Sequence, residues 1–198
     1  MPENKIDLIV YKRLFLRVAD HYSKGTFVID ERNKAIVYSL FLYFLKQPGS
    51  LDIRKGLWLA GPVGTGKSTL MYIFSKFMQI LERGFRICVC SQITAEYAMH
   101  GDLSRYLDNA GWSSLGPVDM CFDEFGREPI PAKYFGNELN VMQHIFHIRY
   151  SYWQQYGLKT YVTTNLFPND VERKYGDYIR DRRGEMFNLI ELNGESRR

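Results

Sequence analysis

No run of apolar residues in this sequence approaches the ~20 needed to cross a bilayer. The longest, "AIVYSLFLYFL" at 35 to 45, is too short and predicts a buried helix. The opening "MPENKIDLIVYKR" lacks the apolar core and small-residue cleavage site of a secretory signal, so a cytoplasmic location is expected, with no membrane partner. Cysteine is scarce. Its three copies, Cys88, Cys90 and Cys121, show no C-x-x-C spacing, which argues against a zinc site or a disulfide framework. Buried reduced thiols are the expectation. Charge of one sign is also in short supply: 26 basic residues against 22 acidic leave a net +4, which permits a nucleic-acid partner without demanding one. Low-complexity tracts, linkers and internal repeats are missing too.

What remains is the composition of an ordinary globular chain of 198 residues, 45% hydrophobic, long enough to bury a core of its own. Apolar spacings of three and four predict a helix over 5–24, followed by a short extended piece, "TFVI", at 26–29. Asp30 is placed to cap a helix through "RNKAIVYSLFLYFLKQ", which Pro48 and Gly49 end. Strands are predicted at 56–60, 86–91, 118–122, 159–164 and 187–192. Helices at 68–82, 93–99, 102–108, 137–155 and 169–180 separate them. That alternation predicts an α/β domain with a parallel sheet covered on both faces.

Three stretches carry chemistry. "GPVGTGKS", residues 61–68, satisfies G-x-x-x-x-G-K-[ST], a pattern expected by chance on the order of once in a hundred chains of this length. It lies between a predicted strand and a predicted helix, where backbone N–H groups and the helix dipole converge on an anion. Gly61, Pro62, Val63, Gly64, Thr65, Gly66, Lys67, Ser68 and Thr69 are therefore the candidate binding residues for ATP or ADP. Lys67 would reach the β- and γ-phosphates and Ser68 would ligand Mg²⁺. "VDMCFDEFG" is an apolar strand ending in an acidic pair. Asp123 would share the Mg²⁺ with Ser68, and Glu124 would align and deprotonate water. "KTYVTTNL" ends in Thr163, Thr164 and Asn165; if its strand neighbours the acidic one, Asn165 can hydrogen-bond the γ-phosphate or the attacking water.

Taken in order, these stretches resemble an AAA+ ATPase of the initiator and helicase-loader clade, and most closely the DnaC and IstB type of loader. The resemblance runs from about Thr26 to the end and implies a P-loop NTPase fold with five parallel strands in the order 5-1-4-3-2 and no separate helical lid. It divides the chain into an N-terminal helix, 1–25, and an ATPase domain, 26–198. "TFVIDERNKA" resembles the clade's adenine-pocket segment, implicating Phe27, Val28 and Ile29. "YGDYIRDRR" is similar to the loaders' arginine-finger helix, with Arg182 matching best and Arg180 and Arg183 as alternatives. "GESRR" resembles the loaders' ending, which puts Arg198 at a nucleotide-sensing position. Single-stranded DNA, a replicative helicase or a transposase, and further copies of the chain in a ring or spiral are the implied partners. Arg105, Tyr106 and Trp112, in the stretch 98–114, are candidates for touching the DNA. A helicase loader in DNA replication and an ATPase helper of transposition share this core. A small-molecule P-loop kinase and a nucleotide-dependent interaction module with negligible hydrolysis remain open, although Glu124 and the lack of a visible lid disfavour the kinase.

Overall fold

A computed structural model describes residues 7–108, 116–194 and 196. Five parallel strands form the main sheet: β1 (Gly56–Ala60), β2 (Arg86–Val89), β3 (Met120–Phe125), β6 (Thr160–Thr164) and β7 (Phe187–Glu191). They lie side by side as β2-β3-β6-β1-β7. Counted within this sheet alone, that is the order 5-1-4-3-2 read from the β7 edge. β1 and β6 are central and read as unbroken apolar or threonine runs ("GLWLA", "TYVTT"), because both of their faces are covered.

Alternation along β1 separates the two faces. Leu57 and Leu59 turn into a cluster built with α1 (Leu8–Ser23), α2 (Lys34–Phe44) and α3 (Lys67–Ile80). Trp58 turns the other way, into a cluster with α4 (Cys90–His100), α6 (Val141–Tyr156) and α7 (Pro168–Met186). The first cluster is aromatic: Phe74 is fully buried, with the rings of Phe15 and Phe44 each 4.8 Å away. Phe74→Ala is expected to cost ~3–5 kcal/mol of stability, the range for emptying a buried phenylalanine site. Urea denaturation measures it, and a loss below about 1 kcal/mol would show that the cluster collapses to fill the space.

The three cysteines are buried and free, and burial pushes the Cys88 thiol up to about 11. Cys90 opens α4 instead of extending β2, but both it and Cys88 join the same cluster. Two helix starts differ from the sequence expectation. Asp30 caps a turn, taking the N–H groups of Arg32 and Asn33, and α2 begins only at Lys34. The helix expected from residue 137 begins at Val141, where the Asn140 side chain accepts from the Gln143 N–H. Before it stands an unexpected hairpin, β4 (Ala132–Tyr134) and β5 (Asn137–Leu139). Phe135 and Gly136 turn it with φ of 44° and 85°, the left-handed pair that a two-residue hairpin turn requires. No helix of the described residues is long and apolar enough to cross a membrane.

Candidate functional site

β1 delivers the chain into the glycine loop at the carboxyl end of the sheet. Gly61, Gly64 and Gly66 all have positive φ, which lets the loop wrap back on itself before α3 begins at Lys67. A Cβ at Gly61 would run into the Leu192 carbonyl, and one at Gly64 would meet Ser196. The segment after β7 thus lies across the loop, tied by the Leu192 N–H to the Ala60 carbonyl at 2.8 Å. Only glycine fits beneath it.

The Lys67 side chain is 6% exposed, and its ammonium donates to the Gly61 and Pro62 carbonyls, each at 2.8 Å. Burial lowers its pKa, while the nearby Asp123 and Glu124 carboxylates pull it back up. The amine is therefore aimed into the loop, next to the acidic pair. A cleft of about 300 Å³ opens in front of it. One wall is the loop from Val63 through Thr69, a second is Thr26, Phe27 and Val28, and the far end is Glu124 with Thr163, Thr164 and Asn165. Residues far apart in the chain meet here.

β3 and β6 are neighbours, and this adjacency builds the far end. The Thr163 hydroxyl donates to the Asp123 carboxylate and accepts the Glu124 N–H at 3.0 Å. Glu124 itself has φ of 56°, unusual for a residue with a Cβ, and its carboxylate accepts from the Arg127 guanidinium at 2.7 Å. Ser68 and Asp123 supply hard oxygen donors of the kind Mg²⁺ takes. Among the described residues there is no cluster of three His, Cys, Asp or Glu side chains able to hold a metal without such help.

Not every expected residue meets at the cleft. Ile29 lines a separate apolar groove between α1 and α2, beside Phe15 and Tyr38. Gly61 and Pro62 contribute carbonyls to Lys67 and do not line the cleft. Arg180, Arg182 and Arg183 lie on the last turns of α7 and none of them lines it either. Arg182 pairs with Glu185 at 2.8 Å and stacks on the Tyr150 ring at 4.3 Å. Arg180 is held by Glu172 and Asp181, and Arg183 lies over Trp58. Arg198 and Trp112 lie outside the described residues. Tyr106 is corrected as a surface candidate: it is 4% exposed, and its hydroxyl donates to Glu96. Arg105 lies 3.7 Å from the same carboxylate.

Sequence reasoning passed over several residues that shape the cleft. Asn33 braces the 26–30 segment, donating to the Val28 carbonyl and accepting the Asp30 N–H, both at 2.9 Å. It stands in "DERNKA" three residues after an aspartate, a spacing that could have flagged it. Leu192 also closes the cleft, and no local pattern marks it.

Neither a scan against protein-family models nor a search of curated proteins finds a match. Solved structures do match. DnaI is similar with a TM-score of 0.62 and 21% identity, the match covering 86% of each chain. The DnaC helicase loader is similar with a TM-score of 0.59 and 17% identity over 91% of this chain and 99% of that one. This chain shares its fold with these two proteins. A third match is the replication initiator DnaA bound to AMPPCP and single-stranded DNA, with a TM-score of 0.55 and 17% identity. It covers 85% of this chain and 49% of that one, so the likeness extends to about half of the initiator. In this fold the cleft lies at the carboxyl ends of the parallel strands, where open α/β sheets bind their ligands.

Proposed function

We propose that this chain is a Mg²⁺-dependent ATPase that assembles on single-stranded DNA and serves replication as a helicase loader of the DnaC type. The observation that carries the ATPase reading is the convergence at one cleft of Lys67, Ser68, Glu124 and Asn165 from three separate strand ends. The loop N–H groups and Lys67 would hold the phosphates, and Phe27 and Val28 would face the base. Mg²⁺, held by Ser68 and Asp123, would neutralise charge on the phosphate oxygens. Glu124 would take the proton from the attacking water, and Asn165 would orient that water. Thr163 serves this arrangement by fixing the Asp123 carboxylate and the Glu124 backbone together. Arg182, turned away from its own cleft, would complete the site of a neighbouring copy.

The loader reading is supported by the likeness to DnaI and DnaC over most of both chains. DNA contact is supported by the DnaA structure that contains single-stranded DNA. With a net charge of only +4, one copy holds a strand weakly, and several copies along one strand would share the work. The test is phosphate release with and without single-stranded DNA, with mass measured by light scattering in parallel. DNA should raise both turnover and assembly, and added salt should reverse both. Tight, salt-insensitive binding by a monomer would refute this picture.

A further inference from the structure

The turn that carries Glu124 is held by a buried carboxylate to which the ATPase reading gives no task. Glu124 has a positive φ, unfavourable for a residue with a Cβ, and Gly126 turns the chain onward with another. Such a bend persists only where its surroundings hold it. On the sheet side, Thr163 takes the Glu124 N–H and the Thr164 hydroxyl donates to the Phe125 carbonyl at 2.7 Å. On the other side, Glu128 and α7 bond the backbone of Gly126. Glu128 is 2% exposed, and its carboxylate accepts the Gly126 N–H at 2.9 Å and the Tyr175 hydroxyl. The neighbouring Lys174 ammonium donates to the Gly126 carbonyl, and the Phe125 ring stacks on Tyr175 at 4.3 Å. Burial holds the Tyr175 phenol far above its ordinary range, so it remains a donor.

Tyr175 also sits at a break. Gly176 follows it with φ of 79° and ψ of 175°, which splits α7 into a first half ending at the Glu128 contact and a second half carrying Arg180, Arg182 and Arg183. The Tyr175 carbonyl, freed from the helix by this break, accepts from the Gln143 side chain at 3.0 Å. Lys174, bonded to Gly126, and Tyr175, bonded to Glu128, are thus the last residues before a kink, and the arginines lie beyond it.

We propose that Glu128 and Tyr175 form a latch that positions Glu124. This inference rests on the ATPase reading. Glu128 and Tyr175 are positioning residues: neither reaches the cleft, and each acts through the backbone of Gly126.

Tyr175→Phe tests the latch, since it removes one hydroxyl and keeps the stacked ring. Affinity for a fluorescent ATP analogue should stay within about twofold of wild type. Single-turnover hydrolysis should fall about tenfold, below the ~10²-fold that a 1 Å misplacement can cost. The same change made in Glu124→Gln should cause no further loss, because the group it positions is already gone. Glu128→Gln, which keeps a side-chain oxygen for Gly126, should retain more activity than Glu128→Ala. Unchanged turnover in Tyr175→Phe would overturn the latch, as would an equal loss of ATP affinity, or a tenfold loss that persists beside Glu124→Gln. A wild type that hydrolyses no ATP would overturn the ATPase reading, and the latch with it; an active wild type with an unaffected Tyr175→Phe would overturn the latch alone.

Discussion

Lys67→Ala should abolish ATP binding, whereas Glu124→Gln should bind ATP normally and fail to turn it over. The two side chains face the same cleft but would act at different stages. The Lys67 ammonium is buried against the loop carbonyls at the start of α3, where only phosphate oxygens or the loop itself can satisfy it. Its contacts with bound nucleotide would be made before any bond changes, so its loss should appear in affinity. Glu124 sits across the cleft, and its contact with the attacking water would strengthen only as that water is deprotonated. Removing an interaction made in the transition state lowers turnover and leaves ground-state binding in place. General-base catalysis is worth ~10²–10⁴-fold, and a loss of that size is expected for Glu124→Gln. Titration with a fluorescent ATP analogue, beside phosphate release, separates the two. Equal losses of affinity in both variants would contradict these roles.

Hydrolysis should also rise faster than linearly with protein concentration, and Arg182→Ala should bind ATP nearly normally yet turn it over poorly. Arg182 lies on the last turns of α7, stacked on Tyr150 and paired with Glu185, and it does not line its own cleft. In a ring or spiral the same surface would face the next copy's nucleotide. There a guanidinium stabilises charge on the transferred phosphoryl group, an effect worth ~10³–10⁵-fold in other P-loop enzymes. Mixing Arg182→Ala with Lys67→Ala should restore part of the activity, since some interfaces then pair an intact cleft with an intact arginine. Arg180 and Arg183 are tested in the same way. If turnover per subunit is flat on dilution and the mixture stays inactive, each copy works alone.

The glycine loop was legible because its parts are consecutive: Gly61 through Ser68 carry their geometry in their own φ preferences and in the strand and helix beside them. The sheet order was legible only through the resemblance, since apolar runs such as "TYVTT" do not say which strand they neighbour. Contacts between distant residues stayed hidden for the same reason. Thr163 finds Asp123 only once β3 and β6 pair. Tyr106 reads as a surface aromatic until its hydroxyl is seen bonded to Glu96 inside the fold. The hairpin around Phe135 and Gly136 is hidden in the sequence because β5 occupies positions that read as the start of the following helix. Arg127, which holds the Glu124 carboxylate, stands in a stretch with no periodicity to draw attention to it.

The central claim is that this cleft binds and hydrolyses ATP, and a time course of phosphate release by the purified protein with Mg²⁺ and ATP tests it most directly. The wild type should release many phosphates per copy, at a rate that saturates with ATP, while Glu124→Gln in the same assay releases almost none. A wild type that binds ATP and releases no more phosphate than Glu124→Gln would contradict the account.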